Sequence, residues 1–510
     1  MPQTIALSLV SHTNVGKTTL ARTLLGRDVG DVRDEAHVTM QAEAHLLIRS
    51  EQGDELTLWD TPGFGDSHRL AKRLAATDNA LGWFLTQVWD RYRERALFAS
   101  QQAVRNVRES SDLVLYLVNA SEDPQDASYV TPELQILQWI GKPVIVLLNQ
   151  LGQPQPAEIE QAQIDRWHQR VADVQCVRGV LALDAFARCW VQEAELLALI
   201  ERTLEESLRA PFSDLRRQWL RQRRGVFDES VAALADRITR AASDSQTVES
   251  AHWSSRVREL AQAIGLRSDA EDSPRRIAMS QLAERLDADI RAGTDRLIAL
   301  HGLHGQAAAE VLSRLAEHFA VREPVSESKA AAVGGIVTGA LAGLKADLAS
   351  GGLTFGAGLL VGGVLGALGA AGLAHGYNLI RGAGVTLITW NDEVLEKLLA
   401  SALLSYLAVA HYGRGRGDWS PSEHPAHWQQ TVSELLEQQR SDWRRLWSSR
   451  KPGRPEQIAA AIHQMLLETL IMLLRTLYPQ ADLGDEAWQN PSSAATVKRT
   501  PDQTPDQGSG

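Results

Sequence analysis

Cysteine is nearly absent. The 510-residue chain has two, Cys176 and Cys189, too few for a disulfide framework or a cysteine-built zinc site, which fits a reducing compartment. Basic charge is also in deficit: 52 lysines and arginines face 63 acidic residues, giving a net charge of −11. That balance is opposite in sign to the footprint of a general nucleic-acid binder. Proline and glycine number 18 and 38 in a chain that is 44% apolar, which excludes collagen-like and wholly disordered classes. No Ser-His-Asp order with a nucleophile elbow is present. The 14 histidines lack metal-ligand spacing, and Pro425 between His424 and His427 spoils a helical ligand face. Residues 1–10 carry no basic segment leading into a long apolar core, so no signal peptide is expected and a cytoplasmic location is.

What is there divides into two halves. The length predicts about three domains. Residues 1–208 alternate short apolar runs with helical segments, the pattern of an α/β fold with a mostly parallel, doubly wound sheet. Strands are expected at 5–10, 42–49, 55–59, 113–119, 144–149 and 177–183, and helices at 17–25 and 131–140. An extra helix is expected within 80–108, where Trp83, Phe84, Val88, Trp89, Tyr92 and Leu97 recur at helical spacing. From about Pro211 the pattern is all-α, with helices expected at 213–242, 248–264, 277–318, 392–411, 432–447 and 455–477. The organisation expected is a nucleotide domain at 1–208, helical regions at 209–325 and 386–488 around an apolar segment at 326–385, and a disordered tail at 489–510.

The chemistry lies in the first half. The first strand runs into Ser11-His12-Thr13-Asn14-Val15-Gly16-Lys17-Thr18, the phosphate-loop pattern with serine in place of its first glycine. In such a loop the backbone N–H groups from Asn14 through Thr19 wrap phosphates at a helix N-terminus. Lys17 neutralises β/γ oxygens and the Thr18 hydroxyl binds Mg²⁺. Lys17 is one of only eight lysines. A second strand ends in Asp60-Thr61-Pro62-Gly63, where Asp60 would hold Mg²⁺ and the Gly63 N–H would sense a γ-phosphate. Between them, 22 residues after Lys17 and 21 before Asp60, Thr39 is placed to cap the metal and the γ-phosphate. Each motif alone has an ordinary reading as a strand end or turn; their order and spacing together argue for a nucleotide site.

These motifs resemble the translation-factor (TRAFAC) class of GTPases, specifically its Era/TrmE-like branch, over about residues 1–208. With the helical second half, the chain resembles a bacterial family of predicted GTPases fused to a C-terminal domain of unknown function. The resemblance implies GTP or GDP as ligand with Mg²⁺. It also implies a potassium ion beside the phosphates at Asn14, against the plainer reading that Asn14 only shapes the loop. The fourth motif departs from the family: Asn149-Gln150-Leu151-Gly152 stands where Asn-Lys-x-Asp is the pattern. Asn149 is left as a base contact, Gly152 cannot supply the aspartate's two hydrogen bonds to guanine, and Asp184 is a candidate substitute. Phe64 follows Gly63 where Ras-type GTPases carry a water-orienting Gln, so slow turnover is expected.

One segment breaks the soluble pattern. Residues 330–344 and 348–374 are uncharged and rich in Gly and Ala, interrupted by Lys345 and Asp347. Glycines recur four apart at Gly335, Gly339 and Gly343 and at Gly358, Gly362 and Gly366. Two readings stand: a hairpin that enters or crosses a membrane, placing the chain at the cytoplasmic face of the inner membrane, or a tightly packed buried hairpin. A basic, Trp-containing stretch at 216–224 reads either as a surface for anionic lipid or as a solvated helix face. Trp390, Trp419, Trp443, Trp447 and Trp488 read as core or interface anchors. The function expected is a nucleotide-dependent switch, a slow GTPase acting on membrane, protein-partner or self-association contacts of the helical half. Its competitors are a nucleotide-binding scaffold without turnover and an Era-like ribosome-assembly GTPase.

Overall fold

A computed structural model describes residues 2–26, 42–65, 67–75, 95–150, 157–183, 189–248, 273–303, 377–381, 386–412, 426–479 and 481. Thr39, Gly152, Asp184, Trp419, Trp488, residues 80–94, the Gly/Ala-rich segment 330–374 and the tail 489–510 lie outside the described residues.

The first half builds a six-stranded sheet. Its strands are β1 (Thr4–Ser11), β2 (Glu43–Arg49), β3 (Glu55–Asp60), β4 (Leu113–Asn119), β5 (Val144–Asn149) and β6 (Val177–Ala182), in spatial order β2-β3-β1-β4-β5-β6. Only the β2–β3 pair is antiparallel. Helices α1 (Lys17–Leu25), α2 (Ser67–Ala75), α3 (Arg95–Ser110), α4 (Val130–Ile140), α5 (Ala157–Val171) and α6 (Trp190–Thr203) complete it. The central strands are near-continuous apolar runs because both faces are covered. Leu113, Leu115, Leu117, Ile145 and Leu147 enter one buried cluster, while Val114, Tyr116, Val118, Val146 and Leu148 enter the other.

The second half is mostly helical: α7 (Glu206–Ser243), α8 (Ser273–Leu300), α9 (Asp392–Ala410), α10 (Ala426–Gln438), α11 (Arg440–Ser449) and α12 (Ala459–Leu477). The all-α expectation needs one correction. Strands β7 (Ser245–Val248), β8 (Tyr377–Arg381) and β9 (Thr386–Trp390) form a small antiparallel sheet in the order β7-β9-β8. These runs of four or five residues are too short to show a period. The pairing of Ser245 with Thr389 joins positions far apart in the chain, so no local pattern announces it. Residue 248, expected to open a helix, instead closes β7.

Two further differences have local causes. The helix expected from Ser213 starts at Glu206, with Pro211 inside it. Proline there forfeits one i→i−4 bond, and burial of Phe212, Leu215 and Trp219 immediately beyond outweighs that loss. The helix expected over 432–447 is broken at Gln439, whose Oε1 accepts from Thr469 on α12 at 2.7 Å. Trp390, Trp443 and Trp447 are buried anchors, as expected, and the last two stack with centroids 5.2 Å apart.

The halves share a core. The cluster under β1, β3 and α6 continues without interruption through Trp219 and Phe227 of α7 into α9, α11 and α12. Trp219 lies with Leu47 and Ile48 of β2, Leu58 of β3 and Leu196 of α6 around one apolar pocket. At the other end of α6, Trp190 Nε1 donates to the Tyr406 hydroxyl on α9 at 3.1 Å. The basic stretch of α7 has its arginines paired with carboxylates, Arg217 and Arg221 lying on a solvated face. Arg216 bonds Glu201 at 2.9 Å, Arg223 approaches Glu193 at 3.5 Å and Arg221 approaches Glu51 at 3.9 Å, tying α7 to α6 and the β2–β3 turn. Arg217 and Arg224 pair with Asp214 and Asp228 on α7 itself.

Among the described residues α12 is the one helix long and apolar enough by composition to cross a membrane. Its Ile462, Leu466, Leu470 and Leu473 are instead in the shared core, and Gln464, Glu468 and Arg475 face outward.

Candidate nucleotide-binding site

The loop from Ser11 to Lys17 leaves the C-terminal end of β1 at the centre of the parallel sheet and enters α1. Its backbone turns through the left-handed region twice, at Asn14 (φ 64°) and at Gly16 (φ 92°), the N-cap of α1. Asn is among the few L residues that tolerate this conformation. Such turns point successive N–H groups into one concavity at a helix N-terminus, an anion cradle. A side chain at Gly16 would also meet Asn149: its Cβ would fall 2.8 Å from Nδ2. Ser11 is not in the left-handed region, so the geometry makes no demand for glycine there. Its hydroxyl does accept a hydrogen bond from Lys17 Nζ at 2.9 Å, a partner that the departure from pattern at position 11 did not suggest.

The strand end of β3 meets this loop. Thr18 Oγ1 donates to Asp60 Oδ2 at 2.7 Å. Asp60 is 2% exposed, and its Oδ1 is buried with no hydrogen-bond partner. A buried carboxylate oxygen left unsatisfied beside a threonine hydroxyl is the donor set a hard divalent cation takes, so Thr18 and Asp60 fit Mg²⁺. Burial pulls both charges toward neutrality. It lowers the Lys17 pKa, against the pull of Asp60 and Glu133, and it raises that of Asp60, against the Thr18 hydrogen bond and Lys17. A metal-bound polyphosphate would offset that penalty for each.

Gly63 sits in a tight place: a Cβ there would lie 3.0 Å from Lys17 Nζ and 3.1 Å from Thr13 Cα. Phe64, next along, is fully buried in the second core cluster, and its N–H donates to the Ser11 carbonyl at 2.9 Å. It anchors the segment and faces no ligand. Val15 and Thr19 are buried, while Asn14 is exposed. Asn149, buried at the end of β5, donates through Nδ2 to the Val15 carbonyl at 2.7 Å; its resolved contact holds the phosphate loop. Gln150 follows in the left-handed region with φ 57°. Lys17, Thr18, Asp60, Gly63 and Asn149 therefore converge on one loop, whereas Thr39 lies outside the described residues.

Sheet order, loop and strand-end aspartate match a P-loop GTPase domain, and the family described as 50S ribosome-binding GTPase matches residues 6–150. A second family, described as a domain of unknown function (DUF3482), matches residues 176–471, more than half of the chain. The chain belongs to that family. The match begins inside the α/β sheet, before β6 and α6, in keeping with a core common to both halves. Solved structures with some likeness include a variant of Aquifex aeolicus Era bound to GDP and aluminium fluoride (19% identity, TM-score 0.30, 40% of this chain and 58% of that one). Era with MgGDPNP and a 16S ribosomal RNA segment gives the same figures. A bacterial selenocysteine-specific elongation factor follows (15%, TM-score 0.28, 40% and 29%). The alignment thus spans little more than half of the Era chains.

Proposed function

We propose that the protein is a nucleotide-dependent switch: a slow GTPase that hydrolyses GTP to GDP and phosphate and passes its nucleotide state to the helical half. The single observation carrying this is the unsatisfied, buried Asp60 Oδ1 beside the Thr18 hydroxyl at the mouth of the Lys17 loop. Mg²⁺ bound there would draw charge from the β and γ phosphates. Lys17 would hold those oxygens, Gly63 would report the γ-phosphate, and Thr39 would close over metal and phosphate. Coupling to the helical half runs through β2 and β3, which carry Trp219 of α7 on one side and end at Asp60 on the other.

In this reading 1–208 is the nucleotide domain, 209–325 and 386–488 form the helical effector, 326–385 is the segment that meets a membrane or a partner, and 489–510 is a tail. The membrane reading, at the cytoplasmic face of an inner membrane, rests on the two uncharged runs at 330–344 and 348–374. A potassium ion at Asn14, the Era/TrmE-like branch and self-association are further parts of the proposal. A scaffold that binds without turnover is favoured by one observation, the burial of Phe64 where a water-orienting side chain would stand. A ribosome-assembly role has less support, although the family description of the first domain names ribosome binding: the chain carries net charge −11 and Arg216, Arg217, Arg221, Arg223 and Arg224 of α7 are paired with carboxylates.

The deciding measurement is titration of GTP, GDP and ATP with and without Mg²⁺, followed by phosphate release from the intact chain and Lys17→Ala. Magnesium-dependent affinity with Lys17-dependent release supports the switch, affinity without release supports the scaffold, and no affinity for any nucleotide overturns both. Rates in KCl against NaCl with Asn14→Ala test the potassium ion. Sedimentation with anionic liposomes, with and without a non-hydrolysable nucleotide, tests the membrane contact.

A further inference from the structure

Glu133 is a fully buried carboxylate in the first turn of α4, where the helix dipole favours negative charge. Three side chains from three other parts of the domain donate to it. The Tyr116 hydroxyl of β4 reaches Oε2 at 2.8 Å. Oε1 takes both Ser67 Oγ, at the first residue of α2, at 2.5 Å and His12 Nδ1, in the phosphate loop, at 2.7 Å. A carboxylate only accepts, so the His12 proton is on Nδ1. The imidazole is held a second time, stacked on Tyr129 with centroids 4.7 Å apart. Burial pushes the Tyr116 phenol well above its ordinary range, which keeps it a donor.

The two groups sharing Oε1 belong to the two segments proposed above to hold a γ-phosphate. His12 is in the loop that cradles phosphates. Ser67 is four residues beyond Gly63, on the segment also stitched down by Phe64 N–H to the Ser11 carbonyl and Gly65 N–H to Ser100 Oγ at 3.1 Å. One oxygen atom therefore ties that segment to the phosphate loop from behind.

We infer that Glu133 is a positioning residue: by accepting from His12 and Ser67 together it holds Gly63 in place against the Lys17 loop, ready for a γ-phosphate. The inference rests on the GTPase reading above. It differs from it in predicting that the loss of a hydroxyl that touches no nucleotide affects triphosphate chemistry and spares diphosphate binding.

The test uses the full chain, four single variants and one double variant. Ser67→Ala deletes one donor, and Ser67→Thr keeps it. His12→Phe keeps a ring over Tyr129 and removes Nδ1. Ser8→Ala deletes a buried hydroxyl bond of the same kind, to Asn106 Oδ1 at 2.7 Å, away from Glu133. Ser67→Ala and His12→Phe should lower kcat for GTP about tenfold, the scale of one hydrogen bond to a charged group, with GDP affinity within about twofold of wild type. Ser67→Thr should restore kcat, and Ser8→Ala should leave kcat and GDP affinity alone. Because both donors act through one acceptor, Ser67→Ala with His12→Phe should lose much less than the product of the single losses. Unaltered kcat in Ser67→Ala, or an equal fall in Ser8→Ala, overturns the inference while the GTPase reading stands. A wild-type chain that binds no nucleotide overturns both.

Discussion

Lys17 Nζ and Ser11 Oγ are hydrogen-bonded at 2.9 Å across the phosphate loop, so the serine that breaks the sequence pattern is a partner of the lysine that makes it. Both are buried, and neither the loop's path nor its cradle depends on glycine at position 11.

Ser11→Gly should therefore fold with a stability loss of about 1 kcal/mol, the net value of one such bond. It should also bind triphosphate a few-fold more tightly, because Lys17 no longer exchanges a protein partner for phosphate. Urea unfolding and nucleotide titration of the variant measure the two effects.

Gly63→Ala should act on turnover. Its Cβ would meet Lys17 Nζ at 3.0 Å and the Thr13 backbone at 3.1 Å; the lysine end can swing away, and the Thr13 backbone must give by a few tenths of an ångström. Phosphate release should fall by at least about tenfold through lost transition-state contact, with GDP affinity retained, as single-turnover assays with GDP titration would reveal.

Separating the halves should fail. A fragment ending at residue 208 bares the face of β1 to β3 that α7 covers, including Leu7, Ile48 and Leu58, and should be insoluble or molten. Within the intact chain, Trp219→Ala should cost about 3–5 kcal/mol as a large-to-small core change. Circular dichroism and denaturant midpoints check both.

Acid should loosen the helical half. His411 is buried, and His301, just beyond α8, is half-buried against Ser230 and Tyr406; desolvation lowers both from 6.5 to about 4. His411 Nδ1 donates to the Leu407 carbonyl at 2.6 Å, and its Nε2 pairs with the Tyr478 hydroxyl. The unfolded chain takes up protons first, near pH 6.5. Stability is therefore whole above that value and drains away as pH falls to about 4, by roughly 3 kcal/mol for each histidine. Denaturant midpoints between pH 8 and pH 4 should follow this course, and His411→Gln should remove about half of it.

The first half was legible in sequence because its signals are local. Val144–Asn149 and Leu113–Asn119 are unbroken apolar runs bounded by turns, and both strands stand where the runs are. The convergence of Lys17, Thr18, Asp60 and Gly63 on one loop was legible because phosphate chemistry restricts which residues fit at fixed spacing. What escaped notice is long-range. Nothing near Ser245 announces Thr389 as its partner, and nothing near Pro211 announces that Phe212, Leu215 and Trp219 will be buried strongly enough to carry a helix through it. Ser11 departs from the pattern because a pattern records the common residue, and its contact with Lys17 becomes visible only in the fold. A lone glutamate in a helical run, such as Glu133, has no signature in sequence until His12, Ser67 and Tyr116 converge on it.

The long helix α7 has a mechanical corollary. It is seated on β2 and β3 at Trp219, and the 24 residues from there to Ser243 make an arm of about 36 Å. At its far tip the arm joins β7 and meets Gly453, whose N–H donates to the Ser243 carbonyl at 2.8 Å. A tilt of about 5° at the seat sweeps that tip by about 3 Å, enough to unseat one hydrogen-bonded pair and engage another.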